Sequence, residues 1–206
     1  MIKMSFIVLD TETTGLPKFF NRTWKKTIYA PYFLLSHYKY SRIVQFSWIS
    51  YNDKNKFEWI NDHIVKPTYD FEISQKVVNI HGISTEKAKK EGIDINIVLD
   101  MFYTSLKRVD IIVAHNIKFD LQIILSECFR IKRTDIIKEI YKKKWICTVQ
   151  FAMKILNYGR RIRLGTLHKK LFKNDFKNAH NSLADTIACA NCYIKLKSMN
   201  LISTGF

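Results

Sequence analysis

The chain has 206 residues, of which 47% are hydrophobic, and it carries 34 Lys and Arg against 18 Asp and Glu. This length suits one domain whose core needs neither metal ions nor disulfides to fold. An aromatic content of 14% excludes a disordered chain, and 6 Gly and 3 Pro exclude collagen-like and low-complexity sequences. The formal net charge of +16 predicts a polyanionic partner, with nucleic acid ahead of an anionic membrane surface. Solubility alone is the alternative explanation of the charge.

No apolar run in the sequence approaches the roughly 20 residues that a membrane span requires. The N-terminal apolar stretch ends at Asp10 instead of a cleavage site, so we expect no signal peptide. The four cysteines are compatible with reduced thiols, and Cys189 and Cys192 are expected to pack in the core because nothing completes a zinc site around them. We therefore expect an intracellular protein, cytoplasmic or nuclear, without membrane contact.

The predicted elements alternate between strands and helices after an initial group of strands. In chain order, the patterns predict strands over residues 5–9, 43–51 and 56–60, then helices over 74–107 with breaks at Gly82 and Gly92. A strand over 110–114, a helix over 117–129, a strand over 144–148 and helices over 149–156, 165–172 and 182–197 follow. This order predicts an α/β fold on one mixed sheet, and we expect residues 1–206 to form a single domain.

One segment, residues 18–40, departs from this pattern and is called the insertion below. It contains no acidic residue, five Lys or Arg and eight aromatic residues. Aromatic rings interleaved with cations are typical of surfaces that bind single-stranded nucleic acid, because rings stack on bases and cations attract phosphates. Packing of these rings onto the domain itself is an equally good interpretation.

Two carboxylates lie where the first predicted strand ends, in the string DTETTG. Asp10 and Glu12 are two residues apart, so on a strand both side chains point to the same face. Divalent cations such as Mg²⁺ or Mn²⁺ would relieve the repulsion between them. Gly15 strengthens this interpretation, because a glycine lets the backbone approach a ligand closely.

Two further acids and a histidine occur near later elements. Asp120, in the string HNIKFD, is expected in the first turn of the helix that follows the strand over 110–114. His180 is expected on a loop, with Asp185 projecting from the helix after it and Ser182 capping that helix together with Asp185. Taken singly, each acid could simply interact with a helix dipole.

The three motifs together resemble those of the DEDDh, or DnaQ-like, 3′–5′ exonucleases. DTETTG, HNIKFD and the pair of His180 and Asp185 occur in the family's order, and the resemblance covers most of the chain. It implies an RNase H-like mixed five-stranded sheet of order 3-2-1-4-5, flanked by helices, with the second strand antiparallel to the rest. It also implies release of nucleoside 5′-monophosphates from 3′ ends.

The resemblance also implies roles for individual residues. Two Mg²⁺ or Mn²⁺ ions would be held, with Asp10 bridging both, Glu12 and Asp185 on the hydrolytic ion, and Asp120 on the leaving-group side. His180 matches the general base of the family. The positions that match residues lining the family's nucleotide pocket are Thr13, His81, Asn116 and Phe119.

The expected substrate is DNA with a single-stranded or frayed 3′ end. An exoribonuclease trimming RNA and a non-catalytic nucleic-acid-binding module are the alternatives, although the latter would not need all four acids and the histidine. A polymerase partner is left open, and the short sequence after Asp185 favours a stand-alone enzyme. We also expect the insertion to bind substrate through Arg22, Lys25 and Lys26.

Overall fold

The fold is described by a computed structural model that covers residues 4–22, 27–68, 72–155 and 161–199. Within these residues a five-stranded sheet and a separate two-stranded hairpin are formed. The strands are β1 (Phe6–Thr13), β2 (Phe19–Arg22), β3 (Thr27–Tyr29), β4 (Ile43–Tyr51), β5 (Phe57–Ile64), β6 (Ile111–Ala114) and β7 (Lys144–Cys147).

The main sheet has the order β5-β4-β1-β6-β7. Strand β4 pairs antiparallel with both β1 and β5, whereas β6 is parallel to β1 and β7 is parallel to β6. When the insertion hairpin is left aside, this is the order 3-2-1-4-5 with the second strand reversed. The predicted RNase H-like sheet is therefore confirmed.

Helices cover both faces of the sheet. They are α1 (Gln75–His81), α2 (Thr85–Glu91), α3 (Ile95–Leu106), α4 (Ile117–Arg130), α5 (Thr134–Lys142), α6 (Thr148–Ile155), α7 (Leu164–Phe172) and α8 (Ser182–Ser198). The breaks predicted at Gly82 and Gly92 both separate helices. Residue 156, predicted as the end of the sixth of these helices, lies outside the described residues.

Three local predictions need correction. Helix α5 was not predicted, although its Ile136, Ile137 and Ile140 are buried on one face. Strand β1 extends to residue 13, so the DTETTG acids lie inside the strand and not beyond its end. Helix α8 is capped by Asn181, whose side chain accepts a hydrogen bond from the backbone N–H of Ala184, and not by Ser182.

Alternation along β1 divides the core into two layers. Ile7 and Leu9 pack in a cluster with residues of α3 and α4, whereas Phe6 and Val8 pack in a second cluster with residues of α8. The pleat of a strand sends successive side chains to opposite faces, which explains the division. Side chains at positions 10 and 12 therefore continue the row that faces α8.

The insertion is partly packed on the domain. It forms the β2–β3 hairpin and a 3₁₀ helix (Leu35–Tyr38), and Tyr38 is fully buried, with its hydroxyl bonded to the carbonyl of Ala30. Phe20 and Tyr40 are about 60% exposed, so the interpretation of these rings as a stacking surface stays a prediction. The side chain of Arg22 and the whole of Lys25 and Lys26 lie outside the part of the chain that is described.

All four cysteines are buried, and none is in a disulfide. Cys189 and Cys192 belong to the α8 side of the core, which confirms their predicted packing role. No helix within the described ranges is long and apolar enough to cross a membrane.

Candidate active site

The first two carboxylates belong to β1, the central strand of the main sheet. Asp10 pairs with Ser47 of β4 and Glu12 with Gln45, and the register between β1 and β4 shifts directly after Glu12. Both side chains are half-buried and border the same cavity. Positions 10 and 12 continue the row of β1 side chains that faces α8, which confirms the prediction that the two acids share a face of the strand.

The third carboxylate approaches from the other layer of the fold. Asp120 lies in the first turn of α4, as expected, and is only 2% exposed. Its Oδ1 accepts hydrogen bonds from the Thr11 backbone N–H at 3.1 Å and from the Thr11 hydroxyl at 2.9 Å. The residue between the two β1 acids thus holds the acid of α4 in place.

The start of α8 is fastened to the sheet by Ser182. Its hydroxyl donates to the backbone carbonyl of Asp10 at 2.7 Å, and its N–H donates to Gln45 Oε1 at 3.3 Å. Asp185 follows one turn later and is half-buried. Ser182 and Gln45 position the site, but the sequence predicts only a capping role for Ser182 and none for Gln45, because contacts across more than 130 residues leave no periodic signal.

His180 lies on the loop before α8, as expected from the sequence. It is exposed, its φ is 69°, and its backbone N–H donates to Asp185 Oδ2 at 3.2 Å. One ring nitrogen of His180 and one carboxylate oxygen each of Glu12 and Asp185 lie within 4.8 Å of one another. The left-handed backbone conformation bends the chain so that the ring and the Asp185 carboxylate face the same space.

The crowding of acids shifts their protonation. Burial, together with the Asp120, Asp185 and Glu12 carboxylates, raises the pKa of Asp10 well above its usual range. Burial and the neighbouring acids raise the pKa of Glu12 to about 8, and burial raises the pKa of Asp120 to about 7 although the Thr11 bonds oppose this shift. Burial also raises the pKa of Asp185, against the effect of His180.

One open cavity of about 720 Å³ contains all of these groups. It is called the acidic cavity here and is bordered by Asp10, Glu12, Asp120, His180 and Asp185. Its opposite wall is the start of α7, with Arg163, Gly165 and Thr166. The four carboxylates and the histidine predicted from the sequence are therefore brought together in one place.

A second cavity of about 570 Å³ adjoins the first at Glu12 and Phe119, which border both. Thr13 and His81 also border it, together with the exposed apolar side chains of Leu16 and Ile80. We call it the apolar cavity. Three of the four predicted nucleotide-pocket residues therefore line this space.

Asn116, the fourth predicted pocket residue, borders the acidic cavity but not the apolar one. Its backbone is left-handed, with φ 71°, at the start of α4. Its amide Nδ2 donates to the Tyr29 hydroxyl at 3.2 Å, and its Oδ1 accepts from the Arg161 guanidinium. The side chain is thus bonded to the insertion and to the segment before α7.

Comparison with protein-family models gives a match over residues 7–193 to the RNase_T family, described as "Exonuclease". The chain belongs to this exonuclease family. The matched range includes every acid of the cavity and His180, and it confirms the enzyme class and the family expected from the three motifs. Curated proteins give no match to the chain.

Solved structures similar to this exonuclease include exonuclease I of E. coli. Its complex with a dT13 oligonucleotide superposes with a TM-score of 0.72 at 19% identity, over 95% of this chain and 41% of that one. Its zinc-bound complex with single-stranded DNA gives 0.73 at 19% identity, over 96% and 42%. Exonuclease I from Methylocaldum szegediense gives 0.70 at 16% identity, over 95% and 40%. The chain spans about two fifths of the length of these proteins, and at this identity the likeness concerns the fold.

The donor set of this exonuclease fits divalent cations. The four predicted carboxylates share one cavity, which Asp175 also borders, and mutual repulsion among the four contributes to the raised pKa of Asp10 and Glu12. Positive charge between them would remove that repulsion, and carboxylate oxygens are the donors that hard cations prefer. Glu12, His180 and Asp185 each place a donor atom within 4.8 Å of the other two, which is close enough to share one ion.

Proposed function

We propose that the chain is a divalent-metal-dependent 3′–5′ exonuclease that releases nucleoside 5′-monophosphates from single-stranded or frayed DNA 3′ ends. The observation that supports this most strongly is the presence of Asp10, Glu12, Asp120, Asp185 and His180 around one cavity. A protein that only binds nucleic acid has no need for four mutually repelling carboxylates beside a histidine. In this proposal the chain would act as a single catalytic domain.

The carboxylates would hold the cations, for which Mg²⁺ or Mn²⁺ is proposed. Asp10 interacts electrostatically with Asp120, Asp185 and Glu12, which would suit it to share two ions. When bound, such ions stabilise negative charge on the phosphate and on the departing oxygen. Thr11 and Ser182 then act through the carboxylates and backbone that they orient.

His180 is the proposed general base. Its ring is exposed to solvent and lies beside Glu12 and Asp185, so it can reach a water molecule next to the phosphate. The ring nitrogen takes a proton as the water oxygen attacks phosphorus. The bond from phosphorus to the 3′ oxygen of the upstream nucleotide breaks, and that oxygen takes a proton from solvent to become the 3′ hydroxyl. An imidazole suits this role because its ordinary pKa, about 6.5, lies near the working pH.

The apolar cavity is the proposed place of the terminal nucleoside. Leu16 and Ile80 expose apolar surface there, and Phe119 separates this space from the acidic cavity. His81 is 7% exposed, its Nδ1 accepts from the Ile83 N–H, and its buried Nε2 has no hydrogen-bond partner among the described residues. Burial lowers the pKa of His81, although an interaction with the Thr13 backbone opposes this shift, and the neutral ring would offer Nε2–H as a donor at the border of the nucleoside site.

DNA is proposed as the substrate because structurally similar proteins have been solved in complex with single-stranded DNA oligonucleotides. The basic surplus of the chain, +16, is suited to any nucleic acid and does not discriminate DNA from RNA. RNA is therefore included as an arm of the experiment.

The test uses 5′-labelled single-stranded DNA, duplex with a mismatched end and RNA, each incubated with Mg²⁺ or Mn²⁺. Shortening from the 3′ end on DNA alone supports the proposal, and a ladder on RNA alone selects the exoribonuclease. Asp10→Asn and His180→Ala should each lower activity by about 100-fold or more without unfolding the protein. Asp100→Asn, an exposed position on α3, is the matched control. Full activity in excess chelator would overturn the proposal.

A further inference from the structure

A third cavity, of about 160 Å³, lies between β3 of the insertion, the start of α4 and α6. We call it the basic groove. Asn116 borders both this groove and the acidic cavity, so the two spaces are neighbours. Tyr29, Lys118, Gln150, Met153 and Arg161 are among its other lining residues.

The groove differs from the acidic cavity in charge. Its described lining includes two cations, Lys118 and Arg161, and no Asp or Glu. Lys118 is exposed at the first turn of α4. Because both side chains are positively charged, they would repel metal ions, but they would attract a phosphate that lies outside the acidic cavity.

Arg161 is exposed and donates hydrogen bonds to both borders of the groove. One guanidinium nitrogen donates to Asn116 Oδ1, and another donates to Thr27 Oγ1 at 3.3 Å. Arginine presents up to five N–H donors in a planar fork. These two contacts therefore leave donors of the same fork for an anion.

The insertion supplies an aromatic ring at the same boundary. Tyr29 lies with its ring centroid 6.1 Å from that of Phe119, and its hydroxyl is bonded to Asn116. Phe119 borders the apolar cavity, and Asn116 borders the basic groove. The apolar cavity, the acidic cavity and the basic groove therefore follow one another around the start of α4. This is the order in which a terminal nucleoside, the reacting phosphate and the next phosphate occur along a strand.

We propose that the basic groove binds the phosphodiester next upstream of the bond that is cut, and that the insertion builds this subsite through Tyr29 and Thr27. The inference rests on the proposed function, because it takes the apolar cavity as the place of the terminal nucleoside. Its consequence is that the enzyme distinguishes oligonucleotides from substrates that end at the reacting phosphate.

The test compares two substrates with the same terminal nucleoside. The p-nitrophenyl ester of thymidine 5′-phosphate supplies the nucleoside and the reacting phosphate alone, whereas a short oligothymidylate also supplies upstream phosphates. The variants are Lys118→Gln and Arg161→Gln, with Lys138→Gln on the exposed side of α5 as the matched control. Each groove variant should lower kcat/KM for the oligonucleotide by about 10-fold and lower it much less for the ester.

Binding without catalysis provides a second measurement. Affinity for the oligothymidylate in EDTA should fall with salt, and each groove variant should reduce the slope of log K against log salt by about 0.7, the value for one contact to a single strand. Arg161→Lys, which keeps the charge, should retain more of the slope than Arg161→Gln.

The outcomes separate the two proposals. A wild-type protein that hydrolyses neither substrate refutes the proposed function, and the salt slope in EDTA still decides the subsite. An equal loss on ester and oligonucleotide overturns the subsite, because the side chain would then act on the reacting phosphate or on folding. Unchanged kinetics together with an unchanged salt slope in both groove variants also overturn it.

Discussion

Thr11 holds Asp120 with two hydrogen bonds to a single oxygen, Oδ1, although the two residues are 109 positions apart. Both residues are buried. The bonds connect the strand that carries Asp10 and Glu12 to the helix that carries Asp120. Because both donors engage the same oxygen, Oδ2 is left for a cation in the acidic cavity.

Replacement of Thr11 by valine should weaken metal binding. The substitution keeps the size of the side chain but removes the hydroxyl donor, and loss of a bond that orients a metal ligand typically costs about 10-fold or more in affinity. Titration calorimetry with Mn²⁺ measures the effect. Thr11→Ser, which retains the hydroxyl, is the control and should bind nearly as wild type. Equal Mn²⁺ affinity for the valine variant and wild type would contradict a positioning role for Thr11.

Much of this arrangement could be predicted from the sequence. The alternation of Phe6, Ile7, Val8 and Leu9 requires a strand buried on both faces, and the same pleat places positions 10 and 12 together. Strand β4 has the predicted bounds, since its nine residues are almost uniformly buried and end at a polar turn. Asp120 could be placed in the first turn of its helix because a buried strand ends directly before it.

The remaining features depend on contacts between distant residues. Thr11, Gln45 and Ser182 are ordinary polar residues whose roles arise from partners that periodicity does not reveal. Helix α5, by contrast, could have been predicted, because Ile136, Ile137 and Ile140 have the spacing of one face of a helix. The basic groove needs the insertion, α4 and the segment before α7 in contact, which sequence spacing cannot show.

The buried Glu127 on α4 is connected to the insertion through Arg130, whose guanidinium donates to the Tyr38 carbonyl oxygen at 3.3 Å. Its Oε1 lies 2.6 Å from Arg42 Nε, and its Oε2 lies 3.4 Å from Arg130 Nε, while the residue itself is 1% exposed. Glu127→Gln should lower the free energy of unfolding by about 3 kcal/mol, because two guanidinium groups lose their buried counter-charge. Urea unfolding measures this loss.

The control for Glu127 is Asp100→Asn, which alters an exposed ion pair with Arg133. An exposed pair contributes about 0–1 kcal/mol, so this variant should remain close to wild type. Mn²⁺ affinity should change little in Glu127→Gln, because Glu127 does not border the acidic cavity. A stability equal to that of Asp100→Asn would show that the network does not anchor the insertion.

His115 connects the end of β6 to the residues before α7, beside the acidic cavity. Its Nε2 lies 3.0 Å from the carbonyl oxygen of Ile162, and its Nδ1 lies 2.8 Å from Thr148 Oγ1. A carbonyl can only accept, so Nε2 carries the proton and Nδ1 accepts from the Thr148 hydroxyl. His115→Ala should destabilise the protein by about 1–3 kcal/mol, because buried polar groups lose their partners.

The same variant should also accelerate amide hydrogen exchange in α7, since the residues before that helix lose their attachment to the sheet. His168→Ala, a substitution within α7 itself, is the control, because it shows whether the loss of any histidine near this helix accelerates exchange. A change in exchange confined to β6 would contradict the proposed attachment of Ile162 by His115.

The stability of the metal-free protein should fall as the pH rises from about 6.5 to 8. Burial and neighbouring acids raise the pKa of Glu12 to about 8, whereas the pKa of an unfolded Glu is about 4.3. Between these values the folded state retains a proton that the unfolded state has released, so stability decreases with pH by up to about 1.4 kcal/mol per unit for each retained proton. His115 acts in the opposite direction, because burial lowers its pKa to about 4, but its contribution is complete near pH 6.5, the ordinary value for His.

Divalent cations should reverse this dependence. A cation competes with protons for the carboxylates of the acidic cavity, so its stabilising effect should increase as the pH rises. Thermal unfolding in EDTA and in excess Mg²⁺, measured at several pH values from about 6.5 to 8.5, gives the difference in Tm directly. Glu12→Gln should flatten the metal-free curve, whereas Glu58→Gln, at an exposed position of β5, should leave it unchanged. If the difference in Tm were constant across this range, the raised pKa of Glu12 and the binding of cations at the same carboxylates could not both hold.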